Sequence, residues 1–309
     1  MNRLERAARA WAAAGLENDF IFSKVMSDPV ICLAVIQSIL PDLTIKWLAP
    51  PQTQQEVNPA NDAKGVRFDI YTTDEHDNRY DIEMQVADHH NLAQRVRYYQ
   101  AMNALDAYDK GANYHDANNS YVIFICCFDP FRLGAQFYSV NKHLNEFPDY
   151  RVLDGATDIY LNATSPHHEV TPRLQTLLDL VAHRDSGQTD EFGVKLREKI
   201  EAVKHNKEWR ADFMRLSLYE MDHEYELKEA TEKGIKKGVA EGVKKGVKRG
   251  VKKGVKLGQS QGINMTLVQV ADGLIRRGLP EEQVISFFTN VMKLSREQAE
   301  GYYRQALRN

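Results

Sequence analysis

The sequence predicts an α/β protein whose C-terminal part is entirely helical. Two neighbouring runs, "VRFDIYT" and "RYDIEMQV", alternate apolar and polar residues, which is typical of strands with one buried face. The run "SYVIFICCF" is almost continuously apolar, which indicates a strand buried on both faces. From about Val170 onward the apolar residues follow helical spacing only, so the predicted strands all belong to the first half of the chain.

Length and composition are those of a globular protein. The chain has 309 residues, 43% of them apolar, which is enough to bury a core and suggests about two domains. No run of about 18 apolar residues is present, and charged residues interrupt the first segment, so we expect no membrane span, no signal peptide and a cytoplasmic location. Cys32, Cys126 and Cys127 form no disulfide framework and are interpreted as small buried thiols.

Three helices are predicted ahead of the first strand. The Ala-rich residues 3–14 form the first, which Gly15 ends; the second begins near Asp19 and the third follows Pro29. The segment "PDLTIKWLAPP" has room for a short strand. Residues 50–64 are dominated by Pro, Gln and Asn, which predicts a loop.

The two alternating runs predict an antiparallel hairpin, because the segment "TDEHDN" between them is rich in turn formers. Strand side chains alternate between faces, so Asp81, Glu83 and Gln85 share one face while the apolar residues of that run face a core. Asp69 lies in the first run. Whether it stands beside Glu83 depends on the register of the hairpin, which the sequence leaves open.

The hairpin is followed by a helix and further strands. The pattern of residues 91–110 predicts a helix that ends at Gly111, ahead of the buried strand. Further strands are predicted within "AQFYSVN" and "YRVLDGATDIYLNAT". These elements predict an α/β core at residues 1–165 and a helical extension at residues 166–232.

A glycine ladder occupies residues 233–262, where glycine recurs at every fourth position from Gly234 to Gly262. A four-residue period drifts by about 40° per repeat on an α-helix, so no straight face keeps all the glycines. Eight interior glycines cost about 8 kcal/mol relative to alanine, which predicts a weak helix unless a partner compensates. Three interpretations are open: a flexible or half-helical basic linker, right-handed self-association through close glycine contacts, and a phosphate-binding arm.

The ladder also concentrates positive charge. Between Gly234 and Gly258, nine Lys or Arg stand against Glu241 alone, a net charge of +8. The whole chain carries −3, so the remaining residues carry −11. One strongly basic segment is therefore joined to an acidic body.

Residues 263–309 predict a small C-terminal module of three short helices. Gly278 ends the first helix, Pro280 starts the second, and Ser295 with Gln298 forms a capping box for the third. No set of base-reading residues is recognisable, so a protein-interaction bundle is preferred to a helix-turn-helix. We expect these C-terminal helices to make the chain a homo-oligomer.

The polar residues of the hairpin are candidates for metal-dependent phosphodiester hydrolysis. Asp69 and Glu83 offer carboxylate oxygens, the ligands that a hard cation such as Mg²⁺ prefers, and Gln85 offers an amide that orients a water. Taken alone the pattern is weak, because any edge hairpin has a polar face.

Other chemistries lack their motifs. The adjacent pairs His89-His90 and His167-His168 make poor chelates, and no Cys/His spacing fits zinc. No GxxxxGK[ST] sequence indicates ATP-driven transposition, and no GxSxG sequence indicates a hydrolase elbow.

An ordered set of motifs adds to this residue-level interpretation. The series "NDFIFSKVMSDP", "RFDIY", "YDIEMQ", "RVRYYQAMNALDAYDKGANY" and then an apolar strand resembles the Rpn family of recombination-promoting nucleases and transposases, within the PD-(D/E)XK nuclease superfamily. The resemblance covers about residues 17–165. It implies a restriction-endonuclease-like core, with a mixed central sheet flanked by helices, and DNA cleavage with Mg²⁺ or another divalent cation.

The resemblance also implies roles for individual residues. Asp69 and Glu83 would be metal ligands, and Asp19 would complete the metal site or support it from outside. Gln85 stands where most of the superfamily has lysine; an amide cannot supply positive charge to a transition state, so a lower rate is expected.

Four residues of the following helix are candidate DNA contacts. Gln94 and Tyr98 lie four positions apart and face one way, as do Arg95 and Tyr99. They are candidates for contacts with phosphates or with metal-bound water; the alternative is a helix that packs its tyrosines on the sheet and leaves its arginines in solvent.

Two hypotheses follow from the sequence. The preferred one is a metal-dependent DNA endonuclease that its C-terminal helices oligomerise. The alternative is a nuclease fold that no longer cleaves and acts as a DNA-binding or protein-interaction module, which Gln85 and the basic ladder favour.

Overall fold

The computed structural model describes residues 2–57, 66–107, 113, 118–184 and 190–308. These residues divide into two compact units, Met1–Asp222 and His223–Asn309. The domain boundaries predicted after residues 165, 232 and 262 stay predictions. No helix in the described part of the chain is long and apolar enough to cross a membrane.

Three helices open the chain, as predicted: α1 (Arg3–Ala13), α2 (Asp19–Met26) and α3 (Pro29–Ile39). Each begins after a residue whose side chain accepts backbone N–H groups of the first turn, namely Asn2, Asn18 and Asp28. Pro29 occupies the first turn of α3, where its missing N–H costs nothing.

The sheet is mixed, as the resemblance implied. Its strands are β1 (Gln52–Val57), β2 (Val66–Thr73), β3 (Arg79–Gln85), β4 (Ser120–Cys126), β5 (Phe137–Val140) and β6 (Ala156–Asn162), in the order β1-β2-β3-β4-β6-β5. The β1, β2 and β3 strands are antiparallel, β3, β4 and β6 are parallel, and β5 pairs antiparallel with β6. The predicted hairpin is therefore β2 and β3.

Helices cover both faces of this sheet. One face packs under α4 (Leu92–Ala107), where the shared core includes Phe68, Val96, Tyr99 and Phe124. The opposite face packs on α2, α3, α5 (Pro172–Val181) and α6 (Glu191–His205), through apolar residues such as Ile82. Because β4 lies between β3 and β6 and is covered on both faces, its sequence is almost continuously apolar.

Two local predictions around the first strand were wrong. Residues 52–57 form β1 rather than loop, because β2 offers them a pairing edge that overrides their polar composition; residues 58–65 lie outside the described residues. The segment "PDLTIKWLAPP" contributes only an isolated bridge, from Leu48 to Asp74. The helix predicted for residues 91–110 is confirmed as α4, while residues 108–112 lie outside the description.

The glycine ladder is helical in the structure, within α7 (Lys207–Arg276). Every residue from Glu224 to Thr266 is exposed. A Cβ added to any glycine of the ladder would meet no atom within 4 Å, so no described residue packs against these glycines.

Two of the three short helices predicted for residues 263–309 are separate elements, whereas the first is the end of the 70-residue helix α7. The last turns of α7 pack with α8 (Glu281–Asn290) and α9 (Arg296–Ala306) around a small core that includes Ala271, Val284 and Phe288. The capping box of Ser295 and Gln298 is confirmed, and Pro280 occupies the position just before α8 without a side-chain capping hydrogen bond.

Candidate active site

The polar face of β3 is buried rather than exposed. Asp81, Glu83 and Gln85 share one face, as predicted, and expose 0%, 1% and 8% of their surface. The solvent-facing alternative fails because β3 is an interior strand, between β2 and β4, and α4 covers its polar face. Buried carboxylates are costly unless they find partners, so the contacts of this face decide what it can do.

Asp69 and Glu83 are joined by a reciprocal exchange of hydrogen bonds. The regular β2–β3 pairing ends at Ile70 and Ile82. Beyond it, the backbone N–H of Asp69 donates to Glu83 Oε1 at 2.9 Å, and the backbone N–H of Met84 donates to Asp69 Oδ2 at 3.1 Å. Each carboxylate thus accepts a hydrogen bond from a main-chain N–H of the opposite strand. This exchange holds Asp69 beside Glu83.

The β1–β2 pairing is irregular at the same point. Its partners run from Thr53 and Ile70 directly to Gln55 and Phe68, which skips Asp69. The residue opposite, Gln54, has a φ of +55°, in the left-handed region that few non-glycine residues adopt. The backbone around Asp69 is therefore shaped on both sides by local irregularities that the alternating sequence pattern did not reveal.

Arg95 connects the carboxylate to the amide. Its Nη1 donates to Gln85 Oε1 at 2.6 Å, and its Nη2 donates to Glu83 Oε2 at 2.9 Å. Nη2 also lies 2.9 Å from the Tyr99 hydroxyl, which donates to Glu83 Oε2 at 3.4 Å. Arg95 and Tyr99 are one helical turn apart on α4, so a single turn of helix delivers both to the carboxylate.

The electrostatics of the cluster favour protonated carboxyls. Burial, and then the charge of Asp69, raises the pKa of Glu83 to about 8, although Arg95 and a backbone hydrogen bond act in the opposite direction. Burial likewise raises the pKa of Asp69 to about 6, against the hydrogen bond from Met84. The pKa of Asp81 rises well above its usual value through burial and the charges of Glu83 and Asp69. Three ionised carboxylates would carry more negative charge than Arg95 neutralises, so the metal-free cluster retains protons instead.

Asp81 is a member of this cluster that the sequence-based candidates omitted. It is completely buried, and among the described residues no N–H or Lys, Arg or amide group donates a hydrogen bond to either of its carboxylate oxygens. Its shared face with Glu83 and Gln85 was visible in the sequence, but its burial was not, because that depends on α4. An unpaired buried carboxylate beside two others indicates a site that a positive charge would stabilise.

Asp19 lies close enough to Asp69 for its charge to raise the pKa of the Asp69 carboxyl. It is the first residue of α2 and is exposed as a whole, although partial burial of its carboxyl raises its own pKa. Arg67 opposes both shifts, since its charge lowers the pKa of Asp19 and of Asp69. The helix predicted to carry Asp19 therefore brings it to the edge of the carboxylate cluster.

The four α4 candidates separate into two pairs. Arg95 and Tyr99 point at Glu83, as described above. Gln94 is exposed, and Tyr98 is half-buried against the apolar residues under α4. Arg95 is also half-buried, with its guanidinium carbon 5.3 Å from the centre of the Phe124 ring, so the expectation of solvent-facing arginines does not hold for this residue.

The chemistry of the donor set fits a hard divalent cation. Asp69 and Glu83 supply carboxylate oxygens, no described residue donates a hydrogen bond to Asp69 Oδ1, and Asp81 adds a third carboxyl whose ionised form a cation would stabilise. In the described part of the chain, no group of three Asp, Glu, His or Cys side chains is arranged to hold a metal by itself. Water or substrate oxygens would therefore have to complete the coordination of a cation here.

Comparison with known proteins adds one finding. A sequence model described as PD-(D/E)XK nuclease family transposase matches residues 17–230, which include the whole sheet, the carboxylate cluster and the first turns of α7. Searches of curated proteins and of solved structures returned no match.

Proposed function

The chain belongs to the PD-(D/E)XK nuclease family transposases, and we propose on that premise that it is a Mg²⁺-dependent DNA endonuclease that hydrolyses phosphodiester bonds. The observation that carries the proposal is the exchange between Asp69, which is half-buried, and Glu83, which is buried: two carboxylates held side by side with raised pKa values. A group of this kind is expensive to bury and is typical of functional sites.

Asp69 and Glu83 would hold the cation, with Asp19 supporting it from α2. When bound, such a cation supplies Lewis-acid polarisation of the phosphate and a more acidic water. The raised pKa values imply that protons leave Asp69 and Glu83 as the cation enters, so the affinity for metal should increase with pH.

Arg95 would supply the positive charge that Gln85 lacks. Its guanidinium contacts both Glu83 and Gln85, so it stands next to the amide that takes the place of the usual lysine. The bond from Arg95 Nη1 occupies Gln85 Oε1, which leaves the amide Nε2 to donate to a water or a phosphate oxygen. Arg95 therefore stabilises negative charge on the phosphate, and Gln85 positions a reactant.

The remaining elements would bind and arrange the DNA. Gln94 and Tyr98, on α4 beside the cluster, are proposed phosphate contacts. Homo-oligomerisation through the C-terminal helices would bring two active sites to one duplex, so that both strands are cut. We place this activity in the cytoplasm, in the recombination of mobile DNA.

Plasmid cleavage tests the proposal. With Mg²⁺, the parent protein should nick or linearise supercoiled plasmid, while Glu83→Gln and Asp69→Asn should lower the rate by at least about a hundredfold. Both changes keep the shape of the side chain and remove its charge. Glu56→Gln, which neutralises an exposed carboxylate on β1, is the matched control and should cut like the parent. If both cluster variants also cut like the parent, the site is wrongly assigned.

A cleavage-inactive DNA-binding or interaction module is the second candidate. It is favoured by the ion pair of Arg95 with Glu83, since the guanidinium competes with a cation for the same carboxylate. Calorimetric titration distinguishes the two candidates. Absence of Mg²⁺ or Mn²⁺ binding by the parent, together with salt-sensitive DNA binding, would favour the inactive module.

A further inference from the structure

A cavity of about 530 Å³ lies on the α4 side of the sheet, apart from the carboxylate cluster. Its walls come from the C-terminal half of α4, from the first residues of β3, β4 and β6, and from the segment after β5. None of Asp69, Glu83, Gln85 and Arg95 lines it. We call it the amide cavity, after the side chains of Asn103 and Asn141 in its wall.

The amide cavity contains hydrogen-bonding groups that the described residues do not satisfy. Asn103 is 1% exposed; its Nδ2 donates to Ser120 Oγ at 3.1 Å, while its Oδ1 accepts no hydrogen bond from a described residue. The Oδ1 of Asn141 is also buried, and no residue in the described part of the chain donates to it. Even with the Asn103 amide turned over, one of its two polar atoms would remain unpaired. Buried polar groups are rarely left unpaired, so these two amides indicate a polar ligand.

Three cationic and two acidic side chains share the cavity wall with these amides. Arg79, Arg97 and Lys142 line the cavity, of which Lys142 pairs with Asp154. Arg97 is exposed and makes no ion pair or hydrogen bond with the described residues. Among the acidic wall residues, Asp158 accepts a hydrogen bond from Gln100 at 2.8 Å. The cavity thus combines unpaired hydrogen-bond acceptors in its wall with guanidinium groups suited to an anion.

We propose that the amide cavity binds one nucleotide, with the base on Asn103 and Asn141 and the phosphate on Arg97 and Arg79. A base with an exocyclic amino group supplies the donors that the two amide oxygens lack, whereas a simple anion supplies none. The small apolar side chains Ala101 and Ala104 leave room for a flat ring, and the volume lies within the range of known ligand pockets.

The nucleotide has two conceivable sources, a free mononucleotide or an unpaired nucleotide of the DNA substrate, and the second rests on the proposed function. Arg95 and Asn103 are eight residues apart on α4, which places the cavity about 12 Å along the helix from the catalytic cluster. That length corresponds to about three or four stacked nucleotides of one strand. A strand cut at Glu83 would therefore reach the cavity within a few nucleotides.

Calorimetric titration in the presence of a chelator tests the proposal without any cleavage. The probes are dAMP, dCMP, dGMP, TMP, inorganic phosphate and a single-stranded tetranucleotide, each added to the full chain. We expect saturable binding in which dAMP, dCMP and dGMP bind more tightly than TMP, because thymine has no exocyclic amino group. Much tighter binding of the tetranucleotide than of the mononucleotides would identify the DNA substrate as the source, and mononucleotides that bind as tightly as the tetranucleotide would identify the free nucleotide.

Two variants locate the binding in the cavity. Asn103→Leu and Arg97→Gln should each weaken nucleotide binding by about tenfold or more. Arg97 is exposed, so its variant tests the proposal even if the buried Asn103→Leu fails to fold. Arg9→Gln, an exposed arginine on α1, should bind like the parent.

Three results would overturn the proposal: no saturable binding by the parent, inorganic phosphate binding as tightly as the nucleotides, or folded cavity variants that bind like the parent. Because no divalent cation is present in this experiment, its result is independent of whether Glu83 and Asp69 support cleavage. Failure of the cavity and failure of the nuclease are thus separate outcomes.

Discussion

The carboxylate cluster on β3 and the glycine ladder in α7 both concentrate charge of one sign, but in opposite surroundings. In the cluster, Asp81 and Glu83 are almost completely buried, and a single guanidinium, that of Arg95, pairs with Glu83. In the ladder, the nine cations between Gly234 and Gly258 are exposed, and no described residue packs on the glycines between them. Charges interact strongly in a buried site and weakly across solvent. The properties of the cluster therefore depend on individual side chains, whereas those of the ladder depend on how many cations it carries.

The largest expected effect is the loss of cleavage rate when Arg95, in the buried cluster, is replaced. Arg95→Met should lower the cleavage rate by about a hundredfold to a thousandfold, because it removes the cation beside Gln85 and the ion pair of Glu83. Arg95→Lys should retain part of the activity, since it restores the charge but loses the two-pronged contact. Initial rates of plasmid nicking at saturating DNA measure both variants.

Arg9→Met, which removes an exposed arginine from α1, is the control for the loss of one positive charge and should leave the rate unchanged. Equal rates for Arg95→Met and the parent would show that the guanidinium takes no part in the chemistry. A variant with higher activity would support the view that Arg95 competes with the cation for Glu83.

The second effect concerns the stability of the metal-free protein. Folding raises the pKa of Glu83 to about 8 and of Asp69 to about 6, above unfolded values near 4, so the native state binds more protons in the window between them. The free energy of unfolding should therefore fall as pH rises from about 4 to 8, by at most about 1.4 kcal/mol per pH unit for each proton.

Urea unfolding with a chelator present, at pH 5.5 and pH 8, measures this contribution. Glu83→Gln should lose less stability than the parent between the two pH values, while Glu56→Gln, which changes an exposed carboxylate, should follow the parent. Mg²⁺ should stabilise the parent at pH 8 more than at pH 5.5, since it binds the deprotonated carboxylates. A parent whose stability rises across this range would contradict the assigned direction.

The sequence predicted the hairpin and the shared face of Asp81, Glu83 and Gln85, because a two-residue period is a local property. It did not predict that α4 buries this face or that β1 pairs with β2, since both depend on packing between distant segments. The contact of Arg95 with Gln85 could not be predicted from the sequence either. Helical spacing grouped Arg95 with Tyr99 but did not indicate which strand the two side chains contact.

The glycine ladder is a second element whose structure could not be predicted from local sequence. Its glycines argued for a weak helix on propensity alone, yet the segment is helical within α7. Local propensity therefore did not decide this element. The sequence left open what compensates for the glycines, and the described residues offer them no contact.

The smallest expected effect is on the ladder itself, where Gly242, Gly246 and Gly250 are replaced together by alanine. Each replacement should stabilise a solitary helix by about 0.5–1 kcal/mol, because no atom lies within 4 Å of the added Cβ. If copies of the chain associate through close glycine contacts, the same methyl groups should hold the helices apart and weaken association. Circular dichroism and sedimentation velocity read out these two effects separately.

Gly301→Ala is the matched control, since this glycine also lies in open space on a helix, α9, but outside the ladder. We expect the triple variant to gain helical stability and to lose association, because homo-oligomerisation is proposed to use these helices, while the control keeps the parent's association. Unchanged association of the triple variant would exclude close glycine contacts. The next test would then be of the nine cations between Gly234 and Gly258, and salt-sensitive binding of DNA, whose phosphates match their charge, would measure their contribution.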